Sequence, residues 1–283
     1  MIDGRIVPPE QATVSVFDRG FLYGDSVFET IATRGGKAVD LEAHVARLAG
    51  SAARVYIPMP VDAEVIEREV RLAIEESRFP ESTIRLILTR GSSALGLEPA
   101  LAESPLRVVL VLPQKRPAPE LYERGIAVVT FRTQRVAEST EAVGAKVGNY
   151  LVAVLAMREA SARRAQEALI LDAHGRVVEG ASSNVFIVEE DRLLTPPEEA
   201  GILLGITRQR ILEIAHDLGI SLTLCELPLE RVMKAKEVFI SSSVREILSV
   251  VRIDDVPIGT GQPGPIAQLL LREYQRRASA AAG

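Results

Sequence analysis

One cysteine, Cys225, stands in 283 residues. It has no partner for an intramolecular disulfide and argues against a cysteine-built metal centre. Histidine is almost as scarce, with His44, His174 and His216 the only three. None lies near another at a metal-ligating spacing, so all three read as structural or exposed and no metal is expected. No stretch approaches 18 uninterrupted apolar residues, and the opening MIDGRIVPPE carries acids and prolines where a signal peptide would be apolar. A cytoplasmic protein without a membrane partner is the expectation. Basic residues are outnumbered, 33 Lys and Arg against 38 Asp and Glu, for a net charge of −5. Nothing in that balance suggests a nucleic-acid surface. No internal repeat is present.

What the chain does have is apolar content, 47% of its residues. That is enough for one large domain or two smaller ones. A hairpin turning on Asp3-Gly4 is expected at residues 2–7, then a strand at 27–33 and a turn at 34–37. Leu41, Val45, Leu48 and Ala52 make a helical stripe over 41–55, with Arg47 off its centre. A second helix is expected over 62–77 on Val61, Val65, Val70 and Ile74, followed by strands at 84–89 and 106–112. Pro113, Pro117 and Pro119 then remove donors and fix φ, which marks an interdomain linker. The expected division is a small N-terminal α/β domain at 1–113, a linker at 114–122 and a larger domain at 123–283.

In the second half a strand is expected at 125–131, and a polar run at 137–143 leads to Lys146. The helix at 150–162, rich in Ala, Leu and Val, is expected to be buried on much of its surface. Strands at 168–171 and 185–188 are expected to be joined through the turn at 172–175. A helix at 207–218 closes on Gly219, with strands at 222–227 and 238–241 and a last helix at 264–278.

The stretch from Glu179 to Arg208, EGASSNVFIVEEDRLLTPPEEAGILLGITR, organises the rest. An acid, a small-polar run, a strand, a hairpin and a Gly205-Ile206-Thr207-Arg208 helix start make an anion-binding frame, because first-turn N–H groups and the helix dipole favour a phosphate. Glu179, Asn184, Phe186, Leu193, Thr195, Leu203, Gly205, Ile206 and Arg208 together resemble the signature of the class IV (fold type IV) aminotransferases, the pyridoxal-phosphate enzymes that include D-amino-acid and branched-chain aminotransferases and aminodeoxychorismate lyase. The resemblance extends to VSVFDRGFLYGDSVFET, to Arg47 in LEAHVARL, to KVGNYLVAVLAMREA and to KEVFISSSVREI.

That resemblance implies an α+β, two-domain fold with a small α/β domain and a larger, mixed α/β barrel-like one. It implies pyridoxal 5'-phosphate as cofactor, and a homodimer. Lys146 matches the family lysine that holds the cofactor as a Schiff base and moves the proton, a task suited to an amine that can shed its proton. Glu179 matches the carboxylate beside the pyridine nitrogen. Arg47, Ile206, Thr207, Ser242 and Ser243 match phosphate contacts, although three successive serines also read as a polar loop. Tyr150 either bonds the cofactor's phenolic oxygen or packs.

The reaction implied is ping-pong transfer of an amino group between an amino acid and a 2-oxo acid. The spacing of Lys146 from Asn149-Tyr150 and the run EGASSN resemble the D-amino-acid aminotransferases and the lyases more than the branched-chain enzymes. A D-amino-acid transaminase is therefore the first expectation, with aminodeoxychorismate lyase or a branched-chain L-amino-acid aminotransferase as alternatives. The Arg-x-His pair of the D-specific enzymes is missing after the 84–89 strand, and Phe28 stands where they carry tyrosine. Arg34, Arg90 and Arg245 are the candidates for the substrate carboxylate, Arg245 being preferred because it follows the serines.

Overall fold

The computed structural model describes residues 1–102, 104–133 and 142–282. Most of the polar run ahead of Lys146, residues 134–141, lies outside the described residues. The chain forms two compact units, one of Met1–Lys115, Ala145–Asn149 and Ala278–Gly283, the other of Arg116–Gly144 and Tyr150–Arg277. Two short later segments thus belong to the first unit, which a single sequence boundary does not describe. A five-residue segment can join a strand by backbone hydrogen bonds alone and needs no pattern of its own.

In the first unit, α1 (Arg19–Tyr23) precedes β1 (Ser26–Arg34) and β2 (Lys37–Ala38), then α2 (Leu41–Arg54), α3 (Ala63–Ser77), β3 (Ser82–Thr89) and β4 (Leu106–Pro113). The antiparallel sheet runs β2-β1-β3-β4. Alternation along β1 turns Val27 and Ile31 onto the face covered by Leu41, Val45 and Leu48 of α2. On α3 the buried residues are Ile66, Val70, Ala73 and Ile74. Ile66 therefore takes the place expected of Val65, one residue round the same stripe. Pro113 pairs with Ser82 at the end of an edge strand, where its missing N–H costs nothing.

The second unit opens with α4 (Pro119–Arg124), which begins inside the expected linker at 114–122. Pro119 occupies the first helical turn, where no N–H is needed, so here proline starts a helix. There follow β5 (Ile126–Arg132), α5 (Leu151–Ala162), β6 (Glu167–Leu171), β7 (Val177–Gly180), β8 (Asn184–Glu189), β9 (Arg192–Thr195), α6 (Ile206–Asp217), β10 (Leu222–Leu224), α7 (Leu229–Lys234), β11 (Glu237–Ser242), β12 (Glu246–Ile253), β13 (Val256–Pro257) and α8 (Pro265–Ala282).

The sheet order is β10-β9-β8-β11-β12-β5-β6-β7, with β13 on β12. Val185, Ile187, Val238 and Ile240 fill one face, and Phe186 and Phe239 stack at 4.9 Å from the other. The turn at 172–175 joins β6 to β7, not to the 185–188 strand, and Asp172 holds it by accepting from the N–H groups of His174 and Arg176 at 2.9 and 2.8 Å.

Helix α5 departs from expectation. Only Ala156 and Ala160 are buried, while Leu151, Val152, Val154 and Leu155 are 64%, 41%, 58% and 45% exposed. An all-round apolar helix carries no sign of which stripe packs. Here the two alanines, four residues apart, let it lie close to the sheet and the bulky side chains point away.

Candidate active site

The segment carrying Lys146 lies along β1 of the first unit. Phe28 donates its N–H to the Lys146 carbonyl at 3.0 Å, and Gly148 donates to the Ser26 carbonyl at 2.7 Å. Ser51, on α2, accepts from the Lys146 N–H at 3.1 Å. A Cβ on Gly148 would overlap Ser26 Oγ, so glycine permits this close approach. The Lys146 side chain then lies with Nζ 4.7 Å from the centroid of the buried Phe28 ring. Arg85 sits over the same ring at 4.2 Å.

Arg85 was not among the sequence candidates, but the register of β1 and β3 accounts for it. Phe28 pairs with Ile87, so Arg85 occupies the diagonal position on the same face. Glu29, next along β1, turns to the opposite, helix-covered face. It is wholly buried there and accepts from Arg47 Nε and Nη2 and from His44 Nδ1, each at 2.7 Å. Burial pushes the Glu29 carboxyl up, but the Arg47 and His44 hydrogen bonds and the Arg47 charge outweigh it and hold the group down to about 2.

In the second unit, Glu179 is the last residue but one of β7 and Asn184 begins β8, and both hold Leu203. The Leu203 N–H donates to Glu179 Oε2 at 3.1 Å, and Asn184 Nδ2 donates to the Leu203 carbonyl at 2.8 Å. That fixes the turn leading into α6. A Cβ on Gly205, the N-cap, would overlap Asn184 Oδ1, so glycine lets the helix start sit against the strand end. Ser241 is the register partner of Asn184 on β11. Its hydroxyl is buried and has no hydrogen-bond partner among the described residues.

Taken unit by unit, the groups are of the kind pyridoxal 5'-phosphate needs. The first unit offers a lysine amine that suits its aldehyde, and the second offers a carboxylate that suits its ring nitrogen, with the first-turn amides of α6 and the Ser241 hydroxyl as donors for an anion. A family model described as amino-transferase class IV matches residues 26–253. The chain belongs to the class IV aminotransferases. The enzyme is therefore dependent on pyridoxal 5'-phosphate.

A Methanocaldococcus jannaschii protein proposed to be a branched-chain-amino-acid aminotransferase is 35% identical, over 97% of this chain and 94% of its own length. The crystal structure of the Escherichia coli branched-chain amino acid aminotransferase superposes with a TM-score of 0.93 at 29% identity, covering 99% of this chain and 94% of that one. The 4-amino-4-deoxychorismate lyase of Pseudomonas aeruginosa gives 0.87 at 30% identity, covering 99% of each chain.

The remaining sequence candidates in this aminotransferase fall out differently. Arg90 is engaged within its own unit. It donates to Asp25 from Nε and Nη2 at 2.8 and 3.0 Å, and to the Tyr56 and Val55 carbonyls at 2.6 and 2.7 Å. Arg245 is likewise committed. Its Nη2 donates to the buried Glu167 at 2.7 Å and to Ser182 Oγ at 2.9 Å, and its Nε to Ser242 Oγ at 3.2 Å. It buckles the turn after β7 to the turn after β11. Arg34, at the far end of β1, donates to Ser279 at 3.2 Å. Tyr150 occupies the N-cap of α5, and Ser243 is half-buried in the β11–β12 turn.

Arg208, a signature residue to which no role was given, is buried on α6 with Nη2 on the Pro196 carbonyl at 2.9 Å and Nε without an acceptor among the described residues. Burial lowers its pKa against the opposing charge of Glu198. Among the described residues no helix is long and apolar enough to cross a membrane, and no three His, Cys, Asp or Glu side chains gather as a metal site.

Proposed function

We propose that this enzyme moves the amino group of a branched-chain L-amino acid to a 2-oxo acid in a ping-pong cycle, in place of the D-amino-acid preference expected from the sequence. The support is the apolar Phe28 ring against which Lys146 lies, together with the similarity to branched-chain enzymes over nearly the whole chain. An aromatic hydrocarbon beside the reacting amine favours an aliphatic side chain and offers no hydrogen bond to a polar one.

Pyridoxal 5'-phosphate, when bound, supplies the electron sink that acidifies the substrate's Cα–H. In this reading Lys146 Nζ removes that proton and returns it one carbon away. The Glu179 carboxylate would hold the proton of the pyridine nitrogen. Arg47, the Ile206 and Thr207 amides and the hydroxyls of Ser241, Ser242 and Ser243 would hold the phosphate. Tyr150 would meet the phenolic oxygen. Arg85, which shares the Phe28 ring with Lys146, holds the substrate carboxylate in place of Arg34, Arg90 or Arg245. The bare apolar row on α5 supports a homodimer, since large exposed apolar patches mark protein interfaces.

The similarity to the P. aeruginosa lyase supports a second reading, release of pyruvate from aminodeoxychorismate. Assays with L-leucine, L-isoleucine and L-valine against 2-oxoglutarate, beside D-alanine and beside pyruvate release from aminodeoxychorismate, separate the readings. Turnover of L-leucine at least about tenfold above D-alanine is expected. A preference for D-alanine restores the first expectation, and pyruvate release with no amino transfer establishes the lyase.

A further inference from the structure

We infer that Glu29, with His44 behind it, is the positioning residue for Arg47, fixing the plane and direction of the guanidinium that meets the cofactor phosphate. The inference rests on the assignment of Arg47 to the phosphate made above. Glu29 occupies a place on β1 that alternation reserves for the core, between Val27 and Ile31, neither of which is exposed to solvent. A carboxylate there must give up its water, and a buried ion pair is in general no more stabilising than apolar side chains of the same volume. Stability is therefore a poor account of why the site is ionic, and geometry is a better one.

Two parallel bonds, Arg47 Nε to Oε1 and Nη2 to Oε2, both 2.7 Å, hold the guanidinium as a fork holds a fork. They fix rotation of its plane and engage its Nε–Nη2 edge. His44, three residues earlier on the same helix, binds Oε2 at 2.7 Å and stops the carboxylate itself from turning. A long, flexible side chain is thus ordered when the enzyme folds and not when the anion arrives. The neighbouring residue on the strand, Phe28, is the one that anchors Lys146 through its backbone. One strand thereby sets both the cation and the amine.

The arrangement has a consequence with a definite sign. Glu29 carries a negative charge that opposes anion binding, so a side chain that only counterbalances Arg47 would weaken phosphate affinity, and its removal would tighten it. A positioning residue does the reverse. The measurement is spectral titration of the apoenzyme with pyridoxal 5'-phosphate and, separately, with pyridoxal, which lacks the phosphate. Glu29→Gln, Arg47→Ala and the double variant are compared with wild type.

Arg47→Ala is expected to weaken pyridoxal 5'-phosphate by about 100-fold, and Glu29→Gln by about tenfold, or 1.4 kcal/mol. The double variant should match Arg47→Ala, and pyridoxal affinity should not move in any of them. Unchanged phosphate-dependent affinity in Arg47→Ala sinks the assignment of Arg47. Loss in Arg47→Ala with none, or a gain, in Glu29→Gln overturns the positioning role. Equal loss of both ligands in Glu29→Gln marks a merely structural residue and overturns it too. Should Glu29→Gln not fold, His44→Gln removes only the third bond. It should weaken pyridoxal 5'-phosphate about threefold and spare pyridoxal, and any other outcome in that variant counts against the role.

Discussion

Phe28 donates its backbone N–H to the carbonyl of Lys146 at 3.0 Å, and its ring lies 4.7 Å from the Lys146 ammonium. One residue of β1 therefore fixes both the main chain and the side chain of the lysine, and that precision depends on Gly148 two residues further on. Gly148→Ala would drive a methyl into Ser26 Oγ and lift the segment off the strand. A displacement of even about 1 Å can cost about 10²-fold in rate, so kcat should fall by roughly that factor with the fold retained. Ser26→Ala in the same chain removes the colliding hydroxyl and should recover most of the rate. Wild-type kcat in Gly148→Ala alone would show that the segment's seating is not set here.

Acid stability reports on Glu29. Its carboxyl ordinarily titrates near 4.5 and is held to about 2 in the folded chain. A depressed carboxylate adds stability above its unfolded pKa and loses it as pH falls toward the folded one. The contribution should be whole at pH 7 and erode from about pH 4.5 toward 2. In urea unfolding of the apoenzyme, wild type should exceed Glu29→Gln most at neutral pH, with the gap narrowing through that window. A gap that does not change with pH contradicts the shift.

The sequence made some of this legible and hid the rest for physical reasons. The Leu41, Val45, Leu48 and Ala52 stripe marked α2 directly, since a helix with one buried face must repeat that way. Strand β12 went unseen because the turn before it lacks Gly, Asn or Pro. Glu246 itself takes the left-handed conformation there, at φ 56°. Arg85 was invisible as a site residue until the β1–β3 register set it across from Phe28. Glu29 carried a signal that went unread, a charge at a core position of an alternating strand. Lys146 and Glu179 stood out by family resemblance, and no periodicity distinguishes either from a surface residue.

Glu179→Gln should keep the fold, because an amide oxygen can still accept from the Leu203 N–H. It cannot hold a pyridinium proton, so the rate of Cα proton removal should fall by more than about 10²-fold. Single-turnover kinetics with L-leucine would show it. A loss within about tenfold, or 1.4 kcal/mol of barrier, removes Glu179 from that role.

Light scattering should give a homodimer. Leu151→Glu with Leu155→Glu places two charges, four residues apart, on the exposed side of α5 and should shift the protein to monomer with loss of turnover. A wild-type monomer that turns over would remove the interface from the account.

The assignment of Lys146 is the centre of the whole reading, and borohydride reduction of the purified enzyme tests it most directly. Peptide mass mapping after reduction should find one phosphopyridoxyl group per chain, on the peptide carrying Lys146. Lys146→Ala should take up no label and show no turnover. Label on another lysine, or turnover near wild type in Lys146→Ala, would contradict the account.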